Sequence, residues 1–174
     1  MRLYWVKDND QPVDCLPSFS ERERYLDLYS KALKERDEAS KGVSPYNVDV
    51  LYGFWSHFLL RNFNTTMYND FRRLAVDDFE NRESVAGFKA LLKYYKEALS
   101  NENHSIRTRV AWHYVDLAKR DLENEDAGRR TDKLAFKQLK NQWRDGATSL
   151  RNRKVLGEFV DDELRTTLDA PSER

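Results

Sequence analysis

Apolar residues recur every three or four positions along most of the chain, which is the period of an amphipathic helix rather than of a strand. The pattern predicts seven helices, separated by short polar or glycine-containing breaks. The first begins at Ser18 or Ser20 and ends before Gly42, and the others cover about residues 47–63, 65–81, 84–100, 104–124, 131–144 and 150–168. Residues 1–18 have no sustained period, so we predict an irregular N-terminal arm there and a frayed tail over 169–174.

The most aromatic stretch, residues 50–79, spans the second and third predicted helices. Asn64 stands just before Thr65, where the third helix begins, and asparagine is a favoured helix N-cap. The density of rings predicts that these two helices share a packing core. The aromatic residues are Tyr52, Phe54, Trp55, Phe58, Phe63, Tyr68, Phe71 and Phe79.

One run of residues occurs twice. The pattern aromatic-x-x-Leu-Ala-x-x-Asp-x-Glu-Asn begins at Phe71 and again at Tyr114, an offset of 43 residues, with a weaker echo at Tyr25. Such a period is typical of stacked helix pairs, which here cover about 20–63, 65–100 and 104–144. The sequence therefore predicts an all-α, HEAT-like solenoid of three helix-turn-helix repeats, in a single domain over residues 19–168, with the helix at 150–168 as a C-terminal cap.

The composition is that of one intracellular helical domain. Basic and acidic residues balance at 30 each, and only six glycines and four prolines occur in 174 residues. No apolar run is long enough to span a membrane. Cys15 is the single cysteine and has no partner for a disulfide or a zinc site, which fits a reducing compartment. We expect a cytoplasmic monomer that does not contact membranes.

No pattern of catalytic residues is present. The sequence lacks G-x-S-x-G, H-E-x-x-H and a glycine-rich phosphate loop. His104 and His113 have no carboxylate or cysteine at metal-ligand spacing, and His57 lies on an aromatic face where packing is the simpler interpretation. We predict a protein that is not an enzyme and holds neither metal nor cofactor.

The balanced total hides local charge. Residues 129–154 hold nine basic residues against two acidic ones, and lysines on the helix at 84–100 recur at i, i+4 and i+7, on one face. Basic residues around an exposed ring are typical of surfaces that bind single-stranded nucleic acid, because the cations contact phosphates while the ring stacks on a base. The candidate RNA-binding residues are Lys89, Lys93, Lys96, Tyr94, Lys137, Lys140, Trp143 and Arg144.

Each of these signals also has a purely structural interpretation. A line of lysines is common on a solvated helix face. Trp143 follows Leu139 at core spacing, so its ring could pack against the last helix as readily as stack on a base. Tyr94 is either a packing residue between repeats or a stacking platform.

Nearly half of the chain, from Tyr25 to Leu99, resembles the C-terminal HEAT-like repeat region of the La-related protein one family. Animal members of that family bind the capped 5′ end of terminal-oligopyrimidine mRNAs. The third repeat matches only loosely. The residues that carry the resemblance are Leu33–Arg36, Leu51–Leu59, Asn62–Asn64, Met67–Phe71, Leu74–Asp78, Tyr94, Tyr95 and Leu99.

The resemblance implies that a ligand lies across the second helix of each repeat, on residues spaced i, i+4 and i+7. In the first repeat this line falls on Gly53, His57 and Leu60, where the family has arginine, phenylalanine and arginine. None of the three keeps the chemistry of the family residue.

In the second repeat the line falls on Lys93, Glu97 and Ser100. The family has there an arginine, a tyrosine that stacks on the cap and a glutamate that contacts the N7-methylguanine edge. Only Lys93 keeps its charge, as a point charge rather than a bidentate fork. Trp143 is the nearest counterpart of the second stacking tyrosine.

The sequence therefore predicts a non-catalytic RNA-binding module of a La-related protein, which contacts the 5′ region of mRNA to regulate translation or stability without recognising the cap. Single-stranded RNA, as mRNA, is the expected partner. Two alternatives stay open. One is a scaffold that binds an acidic segment of a translation-machinery or ribosome-associated protein, and the other is a binder of the cap and terminal oligopyrimidine tract.

Overall fold

The computed structural model describes residues 4–6, 22–129 and 132–171. Two short strands, β1 (Tyr4–Val6) and β2 (Arg22–Arg24), pair antiparallel. The helices among the described residues are α1 (Tyr25–Glu38), α2 (Tyr46–Arg61), α3 (Thr65–Asn81), α4 (Ala86–Ser100), α5 (Thr108–Asp126), α6 (Leu134–Asp145), α7 (Leu150–Gly157) and α8 (Asp162–Asp169).

The chain forms two compact units that divide inside α4, between Tyr94 and Tyr95. The first unit has an aromatic core, as the sequence predicts for residues 50–79. Trp55 is fully buried, its ring stacks on Phe71 with the centroids 5.6 Å apart, and its indole N–H donates to the Tyr25 hydroxyl at 3.0 Å. Not every ring of the stretch is buried. Phe58 and Phe63 are half-buried and Phe79 is exposed.

A buried carboxylate joins three helices of the first unit. Asp78 of α3 accepts hydrogen bonds from Arg36 Nε of α1 at 2.7 Å and from the hydroxyl of Tyr52 on α2. Burial and the neighbouring carboxylate raise the pKa of Tyr52, which therefore stays a donor. The Tyr52 ring lies directly over Gly87, where a Cβ would come within 2.5 Å of Tyr52 Cζ. This side of α4 thus needs a glycine.

The second unit is held together by polar side chains as well as by rings. Tyr114 of α5 stacks on Tyr95 with the centroids 4.9 Å apart, and its hydroxyl donates to Gln142 Oε1 of α6 at 2.9 Å. Asp121 of α5 is buried and accepts from the backbone N–H of Phe136, in the first turn of α6, at 3.0 Å. It thereby caps α6 from a neighbouring helix.

Asn152 of α7 fixes the loop between α4 and α5. Its side chain is fully buried, its Oδ1 accepts from the Ile106 N–H at 2.7 Å, and its Nδ2 donates to the carbonyls of Leu99 and Asn101 at 3.1 Å each. Because the last carbonyls of a helix have no partner inside it, the amide replaces the water they would otherwise bind. A single side chain thus ends α4 and positions the start of α5.

Several helix bounds differ from the prediction. The predicted first helix begins only at Tyr25, because residues 22–24 form β2, and β1 is a strand within the arm predicted to be irregular. The single capping helix predicted over 150–168 is wrong, since α7 ends at Gly157 and a separate α8 begins at Asp162. Asp161 caps α8 by accepting from the Leu164 N–H at 2.8 Å.

Candidate nucleic-acid interface

Three lysines lie on the exposed side of α4. Lys89, Lys93 and Lys96 are exposed, and none of them forms a salt bridge with another residue that the structure describes. The opposite side of the helix is packed, and its buried apolar residues are Phe88, Leu91, Leu92, Tyr94, Tyr95 and Leu99. Residues spaced four and three apart share a helix face. The packing therefore holds these three cations, the α4 lysine line, in solvent along one side.

A second basic set lies on α6. Lys137 is exposed, and Lys140 is half-buried with its ammonium 5.9 Å from the centre of the Phe136 ring. Arg144 is exposed, and its Nη1 donates to the carbonyl of Ala170 at 3.0 Å. Two of the three cations thus have local contacts, whereas Lys137 extends into solvent.

Within the second unit, α6 lies against the C-terminal part of α4. Gln142 Nε2 of α6 donates to the carbonyl of Lys96 at 3.2 Å, and the same carbonyl accepts from the Ser100 hydroxyl at 2.9 Å. Lys96 and the basic residues of α6 therefore stand on adjacent helices.

Both aromatic candidates are packed inside the protein. Trp143 is 7% exposed, its indole N–H donates to Asp169 Oδ1 at 2.9 Å, and the Arg153 guanidinium lies 4.6 Å from its ring centre. Tyr94 is 3% exposed and its ring lies 6.0 Å from that of Tyr68. A stacking role for either ring would require it to leave the core. The packing interpretation left open for both residues is the one that agrees with their burial.

The positions that the resemblance aligns with the family's ligand contacts lie on α2 and α4, and some of them carry no polar side chain. On α2, Gly53, His57 and Leu60 are half-buried, and a Cβ at Gly53 would have no atom within 4 Å. On α4, Glu97 is half-buried and Ser100 is exposed. The α2 line thus carries neither lysine nor arginine, although it has room for a Cβ at Gly53.

One exposed ring was missed by the sequence reasoning. Trp112 of α5 is 48% exposed, and Arg109, one turn earlier on the same face, is exposed as well. The signal was available, because Trp112 lies out of phase with the apolar positions of its helix. Those buried positions are Val110, Ala111, Tyr114, Val115, Leu117 and Ala118.

Other kinds of site find little support in the parts of the chain that the structure covers. Over residues 4–6, 22–129 and 132–171, no group of three or more histidine, cysteine, aspartate or glutamate side chains is placed to hold a metal ion. No helix in the same ranges is both long and apolar enough to cross a membrane.

Helices that pair and repeat a sequence pattern around buried aspartates define a HEAT-class repeat module, a fold that typically provides a binding surface rather than a catalytic centre. A family model described as the LARP1 HEAT repeat region matches residues 17–162. The chain belongs to this family, and its repeat region is a module of a La-related protein. The predicted resemblance and the all-α repeat fold are confirmed by this match.

Proposed function

We propose that this chain is a non-catalytic RNA-binding module that holds the backbone of single-stranded mRNA near its 5′ end and thereby regulates translation or stability. The observation that carries the proposal is the α4 lysine line. It combines three exposed cations that have no acidic partner among the described residues with a helix that lies inside the family match.

The line has a length suited to a nucleic-acid backbone. At a rise of about 1.5 Å per residue, Lys89 and Lys96 stand roughly 10 Å apart along α4, enough to face more than one phosphate. Lysine recognises phosphate as a point charge and does not need the fixed geometry of an arginine fork. The contacts it makes are independent of base identity, so sequence preference has to come from elsewhere.

Cap recognition is not part of the proposal. A cap sandwich needs two aromatic planes and an acidic group at the base edge, and the aligned positions Glu97 and Ser100 supply neither a ring nor the acid in its expected place. Trp143, the nearest counterpart of the second plane, is buried. These substitutions favour binding of the RNA chain over binding of its capped end.

A titration of capped and uncapped 5′-pyrimidine oligonucleotides tests the proposal. We expect equal affinities for the two, which fall steeply with salt because several phosphates release counterions on binding. A cap preference of tenfold or more, about 1.4 kcal/mol, would contradict the exclusion of the cap. If neither oligonucleotide binds at low salt, the proposal as a whole is wrong.

Charge reversal locates the surface. The double variant Lys93→Glu with Lys137→Glu should abolish binding of both oligonucleotides without changing the melting temperature, since both side chains are exposed. Lys34→Glu, the same change at an exposed lysine of α1, is the matched control and should retain most of the affinity. Unchanged affinity in the double variant would move the site to another face.

A further inference from the structure

An exposed tryptophan on α5 stands three residues after an arginine that has no acidic partner among the described residues. Trp112 is 48% exposed, and Arg109 forms no salt bridge with any residue in the described ranges. One turn further along, Asp116 is held by Arg120 Nε at 3.1 Å. The charge next to the ring that is left without a counterion is therefore positive.

Trp112 and Arg109 stand three residues apart and therefore lie on the same face of α5. Side chains of an α-helix lean towards its N-terminus, so a residue covers the surface over the preceding turn. The Trp112 ring lies 5.2 Å from the ring of His113, and the preceding turn carries Thr108 and Arg109, both exposed. A flat apolar face and a guanidinium are thus available to the same ligand.

A nucleotide fits this surface better than a protein does. Anchors in protein interfaces are surrounded by further apolar contacts that exclude water. The turns beside Trp112 supply few of them, because Thr108 and Arg109 are polar, Asp116 is charged, and Val115 is buried. Every base has a π-face that stacks on an exposed ring, and its phosphate can pair with the adjacent cation.

We infer that Trp112 is a base-stacking platform and that Arg109 contacts the adjoining phosphate, which together form a second RNA contact outside the α4 lysine line. The inference rests on the proposed function, because it requires that the chain binds single-stranded RNA. It adds a contact with a base to the backbone contacts proposed for the lysines, and it assigns the stacking role to a different tryptophan from the buried Trp143.

The test compares an intact pyrimidine oligonucleotide with one in which the bases are removed at successive positions. Stacking on one ring contributes about 1–3 kcal/mol, so Trp112→Ala should weaken binding of the intact oligonucleotide by a factor of roughly 5 to 150. The same variant should lose most of the difference between intact and abasic RNA. Trp112→Phe, which retains a ring, should restore part of it.

A matched control is Tyr46→Ala. Tyr46 is 63% exposed at the start of α2, but Asp49 lies one turn away on the same side, so its surroundings are not basic. This variant should bind both oligonucleotides as the unsubstituted protein does. Circular dichroism and the melting temperature of each variant show that a loss of affinity is not a loss of folding.

A direct readout is photocrosslinking of RNA that carries 5-iodouridine, followed by tryptic digestion. The expected adduct lies on the peptide Val110–Lys119, which contains Trp112. Unchanged affinity of Trp112→Ala, with the adduct on other peptides, would overturn the inference and make a protein the better occupant of this face. The proposed function would not be affected by that result. If the unsubstituted protein binds no RNA, the inference and the proposed function are both wrong.

Discussion

The helices α3 and α5 carry the same run of residues, yet each uses its buried aspartate differently. Asp78 of α3 binds the side chains of Arg36 and Tyr52, so it joins α3 to the two helices that precede it. Asp121 of α5 binds the N–H of Phe136, so it joins α5 to the helix that follows. The sequence repeat places a buried aspartate at the equivalent position of both helices, but it does not determine which group the aspartate binds.

The two helices also differ in the residue four positions after the aspartate. Arg82 follows Asp78, and its Nε lies 3.7 Å from the carboxylate. Glu125 takes that place after Asp121, and it pairs with Lys133 at 2.9 Å instead. The first carboxylate therefore lies near two arginines, whereas the donors to the second in the described part of the chain are backbone N–H groups, with Lys133 as a nearby charge. Burial accordingly raises the pKa of Asp121, although the N–H of Phe136 opposes the shift.

The largest effect should follow from removing the acid of the first unit. The Arg36 side chain is 11% exposed, and Asp78→Ala removes its buried partner. Loss of one partner of a buried ion pair costs about 3–5 kcal/mol. Urea denaturation of the variant measures this loss of unfolding free energy. The control is Asp77→Ala, which removes the more exposed partner of Arg36 and should cost about 1 kcal/mol or less. Equal losses in the two variants would show that burial of the acid is not what matters.

A smaller effect should follow from disturbing the ring that binds Asp78. Gly87→Ala places a Cβ within 2.5 Å of Tyr52 Cζ, so the ring has to move away from the carboxylate. Overpacking of this kind costs about 1–3 kcal/mol. Gly53→Ala is the control, because its Cβ meets nothing within 4 Å and alanine is the better helix former by about 0.5–1 kcal/mol. The two alanines should therefore shift the denaturation midpoint in opposite directions.

The smallest effect is expected at Asp121. Since its pKa is raised, the folded state holds the proton more tightly than the unfolded chain does, and the stability is lost as the pH rises through that pKa. Asp121→Asn keeps an acceptor for the Phe136 N–H without a charge. At pH 7 we therefore expect its free energy of unfolding to be higher than that of the unsubstituted protein, or lower by no more than about 1 kcal/mol.

The pH dependence of stability tests the raised pKa of Asp121. Any advantage of Asp121→Asn should shrink as the pH falls towards the ordinary carboxyl value of 3.8, because the carboxyl then becomes neutral as well. Thermal melts at pH 4 and pH 7 would measure this. An Asp121→Asn variant that is several kcal/mol less stable at neutral pH would show that the carboxylate is needed as a charge.

Local signals predicted much of the fold. The bounds of α3 follow from Asn64, whose side chain accepts from the Met67 N–H at 3.0 Å as the N-cap pattern requires. The exposure of all three lysines on α4 follows from the phase of its apolar face. The break between α7 and α8 was hidden by buried residues that keep a helical spacing of four across it, namely Leu156, Val160, Leu164 and Leu168.

The contacts of the candidate site were less accessible to prediction. The phase of the apolar pattern places Trp143 inside and Trp112 outside, but it does not tell which residues will surround either ring. Arg36 and Asp78 are 42 residues apart, and nothing local to either position indicates that they meet. The contacts of Asn152 are equally hidden from the local sequence, since its hydrogen-bond partners lie about fifty residues earlier in the chain.

The empty space beside Gly53 has an evolutionary consequence. A Cβ at Gly53 of α2 would meet no atom within 4 Å, and the resemblance to the La-related family implies an arginine at this position. A glycine codon becomes an arginine codon by a single base change. One base change would therefore add a cation to the α2 line, at a position where the new Cβ meets no neighbouring atom.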